Sequence, residues 1–130
     1  MVSKRKHFLI ADDDADDRFL FQNAITEMNQ EITLTLAKDC NELLRLLEKF
    51  PAPDAIILDI NMKPTTGKAC LKEIKERTEL GNVPVVMLTT SSDQKDIDDC
   101  LSIGASDYLV KPSTYQDLQS LITKLCNMGS

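Results

Sequence analysis

Asp12, Asp13, Asp59, Thr89 and Lys111 each stand at the end of a short apolar run or just after it, in the segments FLIADDD, AIILD, PVVMLTT and DYLVKP. If those runs are parallel strands of one sheet, three carboxylates, a hydroxyl and an ammonium arrive at the same edge. Carboxylates crowded in this way repel one another, which raises the cost of ionising all of them unless a cation neutralises the group. Oxygen-only ligands without His or Cys suit Mg²⁺, which keeps several waters and commonly shares its shell with a phosphate oxygen. Lys111 would add a second positive charge, and Thr89 a hydrogen-bond donor for an oxyanion. Such a set is built to hold a tetrahedral dianion, and a carboxylate in it can itself be the nucleophile that takes a phosphoryl group.

The rest of the chain reads as the scaffold for that edge. Runs rich in branched residues fall at 7–12, 32–37, 55–59, 83–89 and 107–110, and stretches of helical spacing at 16–28, 41–50, 67–78, 93–103 and 114–126. The first, third and fourth runs lack polar alternation, as central strands covered on both faces do. Asp39, Asp93 and Ser113 stand where N-caps are expected, and Gly104 where a helix should stop. Asp14, Asp16 and Asp17 read as acids at the positive end of a helix, there for capping and solvation. Strand and helix alternation predicts an α/β fold with a doubly wound parallel sheet. In such sheets ligands sit beyond the carboxyl ends of the strands, where the winding reverses.

Composition narrows the function. The 130 residues suit one domain, expected to span 1–130 with a core over about 7–127 and no output domain. A formal net charge of −6 argues against binding to a nucleic-acid backbone. Lys4, Arg5 and Lys6 form a short basic cluster that reads as a solubilising chain start. No apolar stretch approaches the roughly 20 residues that span a bilayer, and no signal-peptide layout opens the chain, so a cytoplasmic protein without membrane attachment is expected. Cys40, Cys70, Cys100 and Cys126 form no close pair and read as reduced, structural thiols. His7, the sole histidine, reads as structural.

The segments FLIADDD, IILDINM, PVVMLTT and GASDYLVKP, in this order and spacing, resemble the response-regulator receiver family of CheY-like domains, over Phe8 to about Leu125. The resemblance implies a flavodoxin-like (βα)5 three-layer sandwich with a five-stranded parallel sheet of order 2-1-3-4-5. It implies Asp59 as the phosphoacceptor, Asp12 and Asp13 as the acidic pair that holds Mg²⁺ with Asp59, and Asn61 as the residue whose backbone carbonyl completes the metal shell. Thr89 matches the switch hydroxyl, Thr90 the small residue whose amide contacts the phosphoryl group, Lys111 the phosphate-binding lysine and Tyr108 the switch aromatic. Lys111–Pro112 matches the family's cis peptide, which only an X–Pro bond adopts at modest cost. Asn61 and Ser91 occupy the positions that govern water access. One departure stands out: Lys63 separates the Asp-x-Asn-Met segment from Pro64. Gly67 keeps its distance from Asp59, which implies a changed loop path without a shifted register. Lys63, held out of a helix by the following proline, is expected at the mouth of the site, where it adds positive potential.

Together these readings predict a stand-alone receiver of a two-component phosphorelay that takes a phosphoryl group from a phosphohistidine donor onto Asp59 with Mg²⁺, and then loses it by hydrolysis. The chemistry is expected to be self-catalysed, so the chain is not expected to be an enzyme acting on a separate substrate. The donor would be a sensor histidine kinase or a histidine phosphotransfer protein. A downstream protein would bind the face of the fourth helix, fifth strand and fifth helix, with Lys95, Asp98, Asp99, Tyr115, Gln116 and Gln119 as candidate contacts. A relay shuttle to a phosphotransfer protein is an alternative. A phosphohydrolase with an aspartyl nucleophile is another, but it needs an acid two residues after the nucleophile, where this chain has Asn61. A receiver fold kept only as a docking module would not need the intact acceptor set.

Overall fold

The computed structural model describes residues 6–28, 31–90 and 93–127. The chain alternates strand and helix: β1 (Lys6–Ala11), α1 (Ala15–Glu27), β2 (Ile32–Ala37), α2 (Cys40–Lys49), β3 (Ala55–Asp59), α3 (Gly67–Lys75), β4 (Val85–Thr89), α4 (Gln94–Ile103), β5 (Asp107–Val110) and α5 (Tyr115–Cys126), with a short 3₁₀ turn at Thr78–Leu80. The five strands are parallel and ordered β2-β1-β3-β4-β5, the flavodoxin-like order.

The uninterrupted apolar runs have a direct cause in this layering. Side chains alternate across a strand, so β1 sends Leu9 and Ala11 into one core and Phe8 and Ile10 into the other; β3 splits Ile56 and Leu58 from Ile57, and β4 splits Val85 and Met87 from Val86 and Leu88. Leu43 of α2, Leu71 and Ile74 of α3 and Cys100 of α4 close the first core. Phe21 and Ile25 of α1 with Leu118, Ile122 and Leu125 of α5 close the second. Both faces of the central strands are therefore apolar, and the polar ends of those strands are left to meet at the sheet edge.

Local chemistry sets most boundaries. Asp14 Oδ1 accepts from the amides of Asp16 (2.8 Å) and Asp17 (3.4 Å) and so starts α1 one residue earlier than the apolar stripe indicates. Asp39 and Asp93 cap α2 and α4 as expected. The cap of α5 is Thr114 instead of Ser113, its Oγ1 accepting from Asp117 N at 3.0 Å. Pro84, which has no N–H for the ladder, delays β4 to Val85, although its carbonyl still accepts from Ile56 N. α3 stops at Lys75 instead of reaching Thr78, and the chain turns to bury Leu80 and Val83. Gly104 ends α4 with φ 126°, a conformation that side chains disfavour.

Two expectations are corrected. Cys40 and Cys70 are joined in a disulfide between α2 and α3, with Cα atoms 5.8 Å apart, while Cys100 and Cys126 are free thiols. Thirty positions of sequence separation hide a pair that helix packing on one face of the sheet brings together. The cis peptide among the described residues is Lys63–Pro64, and not Lys111–Pro112. Every X–Pro bond has the cis form within modest reach, so the surrounding fold selects which one adopts it.

The other minor readings also have a place. His7 is a structural residue, its Nε2 2.8 Å from Thr35 Oγ1 of β2. Of the basic cluster, Lys6 donates to the carbonyl of Cys126 at 2.7 Å, while Lys4 and Arg5 lie outside the described residues, as does Ser91.

Candidate functional site

The carboxyl ends of β1, β3, β4 and β5 meet at one edge of the sheet. Asp12 follows β1, its amide still donating to Ala37 of β2 at 3.0 Å, and Asp59 is the last residue of β3. Both are buried, at 2% and 4% exposure, while Asp13 between them and solvent is exposed. Thr89 ends β4 and is fully buried. Lys111 follows β5, where its amide donates to Thr89 O at 2.7 Å and fixes the root of the side chain.

The ammonium of Lys111 draws these groups together. Its Nζ lies 3.0 Å from Asp12 Oδ2, 3.2 Å from Asp59 Oδ2 and 2.7 Å from Asp17 Oδ2. Asp12 Oδ1 accepts from the Asp14 amide at 2.9 Å, and Asp59 Oδ1 from the Asn61 amide at 3.1 Å. Arg18 Nη1 donates to the Asp12 carbonyl at 2.7 Å and ties α1 to the end of β1. Burial, with a smaller contribution from the charge of Asp59, pushes the Asp12 carboxyl up to about 6, against the pull of the Asp14 amide and Lys111. Burial works against the Lys111 ammonium, but hydrogen bonds to Asp17 and Asp12 and the charges of Asp12 and Asp59 outweigh it and hold the group above the ordinary lysine value.

Asp12, Asp13 and Asp59 each offer a carboxylate oxygen, all within 4.8 Å of one another. The donors are oxygens only, two of them from buried acids. That chemistry fits a hard divalent cation such as Mg²⁺, which would also relieve the repulsion that Lys111 offsets only in part.

Gly67 packs against the backbone behind Asp59. Its amide donates to Ile60 O at 3.0 Å, and a Cβ there would sit 2.5 Å from both Asp59 O and Ile60 Cα, so only glycine lets α3 start this close to β3. Lys63 and Pro64 are exposed and non-helical between these two points, joined by a cis peptide, and α3 begins at Gly67.

Near Lys111, the side chain of Tyr108 packs on the core and makes a hydrogen bond with the Thr89 side chain; burial raises its phenol above the ordinary value. Thr90 is exposed next to Thr89. The predicted set of Asp12, Asp13, Asp59, Thr89 and Lys111 thus comes to one edge. The residues that sequence reasoning missed there are Asp17, read as a solvated helix acid, and Arg18. Only the capping of α1 by Asp14, directly after the β1 acids, hinted that the first turn of that helix lies against the site.

The profile described as "Response regulator receiver domain" matches residues 8–123. The two-component response regulator ORR5 of Oryza sativa subsp. japonica is 30% identical over 119 residues, covering 92% of this chain and 87% of the relative. Among solved structures, the Mn²⁺-bound form of response regulator Rcp1 superposes with a TM-score of 0.85 at 25% identity, covering 96% of this chain and 97% of that one. The phosphorylated cyanobacterial phytochrome response regulator RcpA gives a TM-score of 0.85 at 25% identity, covering 94% and 91%.

Proposed function

This chain belongs to the response regulator receiver domain family and serves as a phosphoacceptor in two-component signalling, and from that premise we propose that Asp59 is the acceptor, in an Mg²⁺-dependent reaction. The observation that carries the assignment is the single ammonium of Lys111, 3.2 Å from Asp59 and 3.0 Å from Asp12, beside an oxygen cluster fit for a cation. An Asp59 carboxylate oxygen attacks phosphorus and forms an O–P bond, while the bond from phosphorus to the donor's nitrogen breaks and its electrons leave with that nitrogen. Lys111 donates to one oxygen of the transferring group, and Thr89 and the Thr90 amide donate to others. Asp12, Asp13, Asp59 and the Asn61 carbonyl would hold Mg²⁺, which when bound offsets the charge building on those oxygens. A Mn²⁺-bound relative and a phosphorylated one support the reading.

The signal is a population shift. Thr89 leaves its hydrogen bond with Tyr108 to meet the phosphoryl group, and Tyr108 is then free to move. The α4–β5–α5 face is the partner surface, with a sensor histidine kinase or histidine phosphotransfer protein as donor and a downstream protein as target. Of the candidate contacts on that face, Lys95 and Asp99 pair with each other (3.1 Å), Asp98 accepts from Gln94 and Tyr115 donates to Glu27, while Gln116 is exposed outside these pairings. In this reading the chain turns over no separate substrate; among the described residues no helix is long and apolar enough to cross a membrane. Incubation with a small phosphodonor and Mg²⁺, followed by intact mass, tests the assignment: an Mg²⁺-dependent phosphoryl adduct is expected on the parent and not on Asp59→Asn. An adduct of equal yield on both proteins would sink it.

A further inference from the structure

Asp17 stands in the first turn of α1, and its carboxylate is committed to the acceptor site. Its Oδ2 makes the shortest of the three contacts to Lys111 Nζ, at 2.7 Å. An ammonium has three N–H donors. Asp12, Asp17 and Asp59 are matched to all of them, so Lys111 can turn to a new oxygen only by giving up an acid. The claims of Asp12 and Asp59 weaken once a cation and a phosphoryl group engage those carboxylates. Asp17 lies outside the cation cluster and keeps its claim.

The element that carries Asp17 is also fixed. Asp14 caps α1, Arg18 bonds the Asp12 carbonyl, and Phe21, Ala24 and Ile25 are buried in the core. On the other side, the amide bond from Lys111 to Thr89 O anchors the lysine backbone. With both backbones anchored, the Asp17 carboxylate stays within reach of the ammonium, and its charge stays beside the place where a dianion must sit.

We infer that Asp17 is a positioning residue that restrains Lys111: it competes with the phosphoryl oxygens for the ammonium and so weakens retention of a phosphoryl group on Asp59. The inference rests on the reading of Asp59 as acceptor. It runs opposite to the bland expectation for an ion pair, because removing this one strengthens the site.

The test uses the full chain and beryllofluoride as the phosphoryl probe, titrated at fixed Mg²⁺ and followed by ¹⁹F NMR. Asp17→Asn and Asp17→Ala are expected to lower the midpoint by about twofold to fivefold, the upper part of the range for an ion pair that keeps some contact with water. Asp17→Glu, which keeps the charge, should return it to near the parental value. The gap between Asp17→Asn and the parent should narrow as salt is raised, since screening weakens the competing charge and would leave a purely structural effect unmoved. Midpoints for Asp17→Asn equal to or above the parental one overturn the restraint. A parent that binds no beryllofluoride, or an Asp59→Asn protein that binds as the parent does, overturns the acceptor assignment and the restraint with it.

Discussion

Two lysines in this molecule each gather acids, and they do so in opposite surroundings. The Lys111 side chain, 15% exposed, faces the side chains of Asp12 and Asp59 at 2% and 6%. Lys68 of α3, 30% exposed, faces Asp96 and Asp99 of α4 at 31% and 38%, with contacts of 2.5 and 3.0 Å, and Lys95 shares Asp99. The contacts are of similar length, so distance does not separate the two clusters. Water does. Around Lys68 each charge can be solvated when its partner leaves, and the pairs hold two helices together only lightly. Around Lys111 two carboxylates have been taken out of water, and losing the lysine strands them. A buried cluster of like charges is a poor way to stabilise a fold, and that cost makes the sheet edge a site and the α3–α4 cluster a surface feature.

Lys111→Met should lower the stability of the cation-free protein at neutral pH by roughly 3–5 kcal/mol, as removal of one partner from a buried charge group does. Urea unfolding measures this, and a loss well below that range would mean that Asp12 and Asp59 reach water without the lysine.

Asp12 offers a second test, through pH. Its folded pKa of about 6 lies above the ordinary 3.8, so its contribution to stability is fully present below the ordinary value and is lost as pH rises through about 6. Cation-free protein should therefore lose on the order of 2–3 kcal/mol across that window from this group, at 1.36 kcal/mol per unit. Asp12→Asn should remove this component, and Mg²⁺ should restore stability at neutral pH in the parent. Denaturant midpoints collected from pH 4 to 7, as on the order set by these pKa values, would reveal a parent and an Asp12→Asn protein with identical slopes if the burial argument fails.

At the exposed cluster, Lys68→Met should shift the unfolding midpoint far less than Lys111→Met, and the shift should shrink further in high salt. A comparable loss from both lysines would erase the distinction. The smallest effect is expected at Lys63, a third lysine that is exposed in the loop after Asp59. Lys63→Ala should slow phosphorylation by an anionic small phosphodonor at low ionic strength only; equal rates over a range of salt would remove its electrostatic role.

Much of this was legible before folding. The apolar runs of β1, β3 and β4 had to be central strands because nothing polar interrupts them, and Asp12, Asp59, Thr89 and Lys111 had to reach one edge because parallel strands end together. Asp39, Asp93 and Gly104 marked helix ends through chemistry that acts within a few residues. What stayed hidden depended on distance in sequence. Asp17 meets Lys111 across 94 positions, Cys40 meets Cys70 across 30, and Lys68 meets α4 only because two helices pack side by side. The cis bond at Lys63–Pro64 belongs with these, since either proline permits it and only the surrounding chain selects one.

The strands, their two-sided burial and the acids, hydroxyl and lysine delivered to one sheet edge follow from the residues in order, because side-chain periodicity and strand ends are local properties. Packing set how those charges share partners: which acid lies nearest Lys111, how much water reaches each pair, and that an acid in the first turn of α1 reaches the sheet edge. Partner choice and solvation depend on how separate elements pack, and no spacing along the chain encodes them.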